Sequence, residues 1–499
     1  MDLIRELLRW ADSAFLVYFG LINTSYLVLL VLAALEFGRH RRRVSFAGTD
    51  EMLRSPFTPP ISVIVPAYNE GPGIVAAVQA ITALEYPRFE VVVVDDGSTD
   101  ETFALLRDQF ELVEVPRVIP RDVPHLGAVR AVYVSAKNPD GLVVVRKDNG
   151  GKADALNVGI NVAGHPMLCM VDADSILDPG ALLIVAKPFA DDPLRVAATG
   201  GVVRIANGCE VIGGRVVKVA MPRRWLPRIQ VVEYLRAFLM GRAGWSRLGG
   251  LVVISGAFGL FRRDLVVEVG GMALDCIGED AELVVRLHKH LRRRKEAYRI
   301  VFVSEPVSWS EAPTDLRGLG RQRRRWHRGL SEILMRHRTM VGNPRYGRVG
   351  LVALPWYVLF ELLAPLVELL ALVVLPLSLV LGVVDVGFAW RFILVAYGYA
   401  FFITLAALLL EEIAYHRYPH WRDVGLAVIA AFAENVGYRQ YLSFWQLRGL
   451  LAALARTRAV WGGQSRQGFD PGPPVTVPPV TVPAGDAAPR DHSPVAGAG

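Results

Sequence analysis

The sequence predicts an α/β protein in which a mainly parallel sheet lies between membrane-spanning helices at both ends. Three observations carry this reading. Hydrophobic residues make up 52% of the 499 and charged residues only 21%, more apolar material than one soluble core of this length requires. The apolar residues gather into runs long enough to cross a bilayer, one near the N-terminus and others beyond residue 350. Between them, short β-branched runs alternate with helical stretches, the pattern of strands joined by crossover helices.

Phe15 to Phe37 is a run of about 23 residues interrupted by Asn23, Thr24, Ser25 and Glu36, enough to cross a ~30 Å hydrocarbon layer at 1.5 Å per residue. A cleaved secretory signal is the competing reading. The run is too long for one, no small-residue cleavage site follows, and Arg39, Arg41, Arg42 and Arg43 come directly after it. Those arginines hold this helix end in the cytosol by the positive-inside rule, and with it the chain up to the next span. A multi-pass protein of the plasma or inner membrane with a cytosolic sheet domain is therefore expected. The net charge of +7 comes mostly from basic clusters beside apolar segments, which favours contact with membrane lipid over nucleic acid. Cys169, Cys209 and Cys276 have no metal-ligand spacing and suit a reduced compartment and ordinary packing.

In the central region, Ile61 to Pro66, Phe89 to Val94 and Met167 to Val171 are near-continuous apolar runs ending in polar loops, as expected of strands buried on both faces. Gly73 to Leu84 has helical spacing. Together the first two runs and this helix read as a β-α-β unit, and ligands of such sheets bind at the carboxyl ends of the strands. Toward the C-terminus, Leu351 to Val384 carries Pro355, Pro365 and Pro376 and predicts an interfacial piece leading into a kinked span. Phe388 to Leu410 is a further span. Val424 to Leu442 contains Glu434 and Arg439 and is weaker, and Tyr441 to Ala455 reads as amphipathic. Four spans would put the C-terminal end outside and three spans with a surface helix inside; Arg448, Arg456, Arg458 and Arg466 argue for inside, and both topologies after Leu410 stay open. The Pro-, Val- and Ala-rich stretch from Asp470 predicts a disordered tail. The expected boundaries are 1–44 for the first helix and its basic flank, 45–315 for the sheet domain, 316–348 for interfacial helices, 349–460 for the C-terminal membrane and interface helices, and 461–499 for the tail.

Four constellations carry chemistry. Asp95-Asp96-Gly97-Ser98 follows a strand, where a carboxylate can meet a base or ribose; a turn with a helix cap is the competing reading. Asp172-Ala173-Asp174 follows Met167–Val171, and two carboxylates at alternate positions of an extended segment can face one hard cation shared with a diphosphate. Lys152, in Gly150-Gly151-Lys152, can add a compact positive charge beside the same phosphates; the run lacks P-loop spacing. Gly278-Glu279-Asp280 opens a helical stretch, where a carboxylate is either a favourable N-terminal charge or a general base. Gln322-Arg323-Arg324-Arg325-Trp326 is either a membrane-surface anchor or a motif whose Gln322, Arg325 and Trp326, at i, i+3 and i+4, point together into a site.

In this order and spacing, Asp95-Asp96, Lys152, Asp172-x-Asp174, Gly278-Glu279-Asp280 and the QxxRW signature at Gln322, Arg325 and Trp326 resemble the processive family 2 glycosyltransferases, the group of cellulose, hyaluronan, chitin and poly-N-acetylglucosamine synthases. The resemblance implies a GT-A-type, Rossmann-like domain, with Asp95 or Asp96 near the uridine and Asp174, with Asp172, binding Mg²⁺ or Mn²⁺. It further implies that Asp280 is the catalytic base, that Arg325 helps hold the diphosphate, and that Trp326 is a platform under the acceptor sugar. Ser255 and Gly256 are similar to the acceptor-side loop. Gly278 stands where the family more usually has Thr. Expected partners are a UDP-sugar donor, a glycan acceptor and membrane lipid, with export or accessory subunits as further partners of this kind.

The expected activity is an inverting, processive transfer of a sugar to a growing β-linked polysaccharide coupled to export, with N-acetylglucosamine favoured. Competing readings are a transferase adding one sugar to a lipid and a non-catalytic export subunit. Glu361 and Glu368, seven residues apart, are expected to share a helical face lining a polar path for the product; headgroup-solvated glutamates are the alternative.

Overall fold

A computed structural model describes residues 2–44, 49–71, 73–415 and 421–455, with only the backbone described at 39–44, 49 and 414–415. The side chains of Arg39, Arg41, Arg42 and Arg43, residues Arg456, Arg458 and Arg466, and the tail expected to be disordered lie outside the described residues.

The strands are β1 (Ile61–Ala67), β2 (Phe89–Asp95), β3 (Leu112–Glu114), β4 (Val129–Ser135), β5 (Leu142–Lys147), β6 (Met167–Val171), β7 (Ile176–Leu177), β8 (Val196–Ile205), β9 (Glu210–Ile212), β10 (Arg215–Lys218), β11 (Phe258–Arg262) and β12 (Arg299–Ser310). Ten form one sheet in the order β3-β4-β5-β2-β1-β6-β11-β8-β12-β7, and β9 pairs with β10 alone. β1 is the parallel centre, with Ile61 opposite both Phe89 and Met167. Val63, Ile64, Val65 and Val91 to Val94 are fully buried, each such side chain contributing roughly 1.5–3 kcal/mol. That double-sided burial is why these strands read as unbroken apolar runs.

The sheet is mixed, which corrects the expectation of a mainly parallel one. β11 runs antiparallel to both β6 and β8, and the β3–β4, β4–β5 and β7–β12 pairs are antiparallel too. A strand covered on both faces has the same apolar pattern in either direction, so periodicity could not reveal this.

Among the described residues, three helices are long and apolar enough to cross a membrane: Asp2–Gly38, Val349–Val380 and Val386–Ile413. The second bends at Leu363, between the π turn Val358–Leu362 and the helix Ala364–Val380 that carries Pro365 in its first turn, as the prolines predicted. Glu361 and Glu368 consequently meet different partners. Glu361 accepts from the Tyr26 hydroxyl at 3.1 Å, while Glu368 accepts from Arg439 at 2.9 Å and Ser443 at 3.1 Å. The weaker apolar segment forms the helix Trp421–Ala433 of 13 residues, about 20 Å at 1.5 Å per residue and short of a ~30 Å layer. The chain then breaks at Val436 and Gly437 (φ 83°). The following helix, Arg439–Leu454, packs along the basic helix Leu316–Arg336, with Trp445 against Gly320 and Gly449 against the Arg324 carbonyl.

Candidate active site

The carboxyl ends of β2 and β6 and the loops after β5 and before β11 meet in one region. At the end of β2, Asp95 and Asp96 are 1% and 2% exposed. Asp96 accepts from Lys147 Nζ and from the amides of Gly150 and Gly151 at 3.0 and 2.8 Å. Burial pushes its carboxyl above the usual range, against the pull of Lys147 and those two amides. Both of its oxygens therefore brace the loop that leads to Lys152. Asp95 accepts from the Ser98 amide at 3.0 Å and lies 3.6 Å from Arg146. Lys147, which also pairs with Asp154 at 2.7 Å, is a structural cation that motif spacing missed; a lysine at the end of a strand that begins with four apolar residues was its one signal.

The helix Lys152–Val162 starts at this braced loop. A Cβ at its Gly159 would stand 2.3 Å from Ile64, so glycine lets the helix lie flat on β1. Lys152 then reaches Asp172 directly and Glu279 at 3.8 Å. Burial alone would lower its ammonium, but the Asp172 and Glu279 carboxylates outweigh it and raise it. Burial also pushes the Glu279 carboxyl up to about 7, with Lys152 opposing. Asp172 and Asp174 sit in a turn closed by the Ser175 amide on the Asp172 carbonyl at 3.0 Å, which corrects the extended geometry expected of them. Both are half-buried.

Asp280 lies in the first turn of the helix Glu279–Arg293. Its Oδ2 accepts from the Gly256 amide at 2.8 Å, and Oδ1 from Ala281 at 2.8 Å. A Cβ at Gly256 would fall 3.1 Å from Lys152 Nζ and 3.2 Å from Asp280 Oδ2. Lys152, Asp172, Glu279, Asp280 and the Ser255-Gly256 loop are thus one cluster. Lys152, Ser255, Gly256, Glu279 and Asp280 line a cavity of about 10 Å³, space for roughly one water. A larger cavity, about 1270 Å³, lies among Pro59, Met167 and Arg262 at the opposite strand ends and contains none of the predicted site residues.

The basic helix Leu316–Arg336 is capped by Asp315, whose side chain accepts from the Gly318 amide at 2.7 Å. It is tied to the Asp280 segment by Arg336 on Asp275 at 2.6 Å, Glu332 on the Ile277 amide at 3.1 Å and His337 on Glu282 at 3.1 Å. Gly278 faces Gly329 across this crossing. A Cβ at 278 would meet Ile333 Cδ1 at 3.0 Å, and one at 329 the Gly278 nitrogen at 3.1 Å. Close helix approach therefore accounts for glycine where the resembled family more usually has Thr. Trp326 is 43% exposed, with the Arg323 guanidinium 4.4 Å over its ring and the Tyr234 ring 6.3 Å away. Arg325 is half-buried. Gln322, at 6% exposure, does not share the open surroundings of Trp326. The structure adds Arg323 and Glu233, paired at 2.8 Å, which spacing alone did not single out.

Among the described residues, no group of three or more His, Cys, Asp or Glu side chains is arranged to hold a metal. Asp172 and Asp174 are two half-buried carboxylates of one turn, the number a divalent cation would need from the protein if phosphate and water completed its shell.

Sheet, acidic turn and Asp280-bearing helix form one mixed α/β domain, and two glycosyltransferase models match across it. Residues 62–270 match the Glycosyl transferase family 2 model and residues 167–406 match Glycosyl transferase family group 2. Together the two matches run from residue 62 to residue 406, through the sheet and the basic helix. It is 30% identical over 276 residues to "Poly-beta-1,6-N-acetyl-D-glucosamine synthase" of Staphylococcus aureus (strain COL), covering 55% of this chain and 56% of that protein. The same-named protein of Staphylococcus epidermidis is 28% identical over 276 residues with the same coverage. The chain thus spans about half the length of the curated relatives it matches. A solved mannosyltransferase from Pyrobaculum calidifontis, in complex with GDP-Man and Mn²⁺, aligns over 88% of this chain and 100% of its own at 20% identity and a TM-score of 0.48.

Proposed function

We propose that this protein transfers a sugar, N-acetylglucosamine favoured, from a UDP-sugar to a growing β-linked polysaccharide at the cytosolic face of a membrane, with inversion at the anomeric carbon. The carrying observation is the Asp280 carboxylate, held by the Gly256 amide at 2.8 Å beside the Lys152–Asp172 pair. Asp280 takes the proton of an acceptor hydroxyl as that oxygen bonds to the anomeric carbon and the carbon–oxygen bond to UDP breaks. A single displacement of this kind turns an α-linked donor into a β-linked product. Lys152 and Arg325 set positive charge beside the diphosphate. Asp172 and Asp174 would hold Mg²⁺ or Mn²⁺, which would neutralise charge on the leaving group. Asp95 lies on the uridine side and Trp326 carries the acceptor ring, with the Ser255-Gly256 loop beside it.

The name shared by the Staphylococcus relatives supports the choice of N-acetylglucosamine. The three apolar helices support a multi-pass placement in the plasma or inner membrane, with the product passing outward, lipid around the spans and room for export or accessory subunits. Purified protein in nanodiscs, incubated with a panel of UDP-sugars and Mg²⁺ or Mn²⁺, tests this reading. Long β-linked polymer from UDP-N-acetylglucosamine is expected. Products limited to one sugar on lipid would overturn processive synthesis.

A further inference from the structure

Arg242 closes the π-helical segment Arg236–Arg242, a backbone form that gathers at functional sites. Its guanidinium lies 3.6 Å from the centroid of the Phe238 ring. Nη1 is buried and has no hydrogen-bond partner among the described residues. Arg236, Arg323 and Arg439 each hold a carboxylate, Glu434 at 2.7 Å, Glu233 at 2.8 Å and Glu368 at 2.9 Å, even though Arg323 Nε is also unpaired. A buried donor left unpaired is costly in a finished fold, and this one is pinned in place by the ring beneath it.

Its surroundings say what it faces. The Asp280 carboxylate and the Tyr357 and Tyr234 side chains lie within electrostatic reach of the guanidinium. No hydrogen bond joins Arg242 Nη1 to Asp280, whose oxygens accept from the Gly256 and Ala281 amides. Phe238 stacks on Tyr234 at 5.7 Å and 27°, and Tyr234 leads on to Trp326. An aromatic row therefore runs from the exposed Trp326 ring to Arg242. Two residues beyond, a Cβ at Gly244 would stand 2.7 Å from the Leu29 carbonyl, so the first apolar helix passes close by. Tyr357 belongs to the second apolar helix. Arg242 stands at the inner end of an aromatic row and beside two candidate spans, within electrostatic reach of Asp280.

We propose that Arg242 is an acceptor-binding residue, its free Nη1 donating to an oxygen of the terminal acceptor sugar and so holding the attacking hydroxyl against Asp280. The ligand chemistry is a neutral pyranose, through a hydroxyl or amide carbonyl oxygen. This rests on the glycosyl-transfer reading above. The full-length protein in nanodiscs, with Arg242→Met and Arg242→Lys variants, is assayed for transfer from UDP-N-acetylglucosamine to an N-acetylglucosamine oligosaccharide, with each substrate varied in turn. For Arg242→Met the acceptor KM rises by about tenfold or more while the donor KM moves by less than about twofold, and Arg242→Lys recovers part of the loss. A donor KM that rises as much as the acceptor KM, or an unchanged acceptor KM with a displaced pH–rate profile, overturns the assignment. Wild-type protein that transfers nothing removes the glycosyl-transfer reading together with this one, whereas wild-type transfer with normal acceptor dependence in both variants removes the Arg242 reading alone.

Discussion

The Gly256 amide donates to Asp280 Oδ2 at 2.8 Å, and a Cβ on Gly256 would stand 3.1 Å from Lys152 Nζ and 3.2 Å from that same oxygen. One backbone position thus orients the carboxylate and leaves room for the lysine. Asp280→Asn is expected to lower transfer by about 10²-fold or more, since the amide cannot accept the acceptor's proton. Gly256→Ala is expected to cost roughly tenfold in kcat by displacing the carboxylate. Initial rates of sugar transfer check both; an Asp280→Asn variant with wild-type rates would remove Asp280 as base.

The Gly278–Gly329 crossing predicts a stability coupling. Gly278→Thr forces a side chain against Ile333 and is expected to destabilise by about 1–3 kcal/mol. Shortening the obstacle in Gly278→Thr/Ile333→Ala should return part of that loss, because the two positions share one contact. Thermal unfolding of the four proteins in detergent measures it, and strict additivity would contradict the packing described.

His288 predicts an acid limb of stability. It is buried, its Nε2 meets the Leu251 carbonyl at 2.8 Å and its Nδ1 the Tyr298 hydroxyl at 2.6 Å, so the neutral ring donates from Nε2 and accepts at Nδ1. Burial pulls its pKa down from 6.5 to about 4. Below pH 6.5 the unfolded chain takes up a proton that the fold refuses, so stability present above 6.5 falls as the pH drops toward 4, by on the order of 3 kcal/mol. In His288→Gln that dependence should flatten, as read from denaturation midpoints between pH 4 and 7.

Removing divalent cations with a chelator is expected to abolish transfer, with Mg²⁺ or Mn²⁺ restoring it. Asp174→Asn should raise the metal concentration needed for half-maximal rate by about tenfold or more, since one of two protein ligands loses its charge. Full activity in chelator would contradict a metal on Asp172 and Asp174.

Much of this protein was legible in its residue pattern. Strands buried on both faces demand unbroken apolar runs, so Ile61–Pro66, Phe89–Val94 and Met167–Val171 declared themselves, and a bilayer demands length, so the long apolar helices did too. Carboxylates placed just after such strands marked Asp95, Asp172 and Asp174. Local composition determined which elements exist and where polar groups interrupt them. Tertiary structure alone decided which groups meet: that β11 runs against its neighbours, that Asp96 is taken up by Lys147 across 51 residues, that Gly278 lies against Gly329, and that Arg242 Nη1 has no hydrogen-bond partner among the described residues. Periodicity records the environment of each side chain, whereas partnership depends on the path of the chain between distant segments, and no local pattern carries that path.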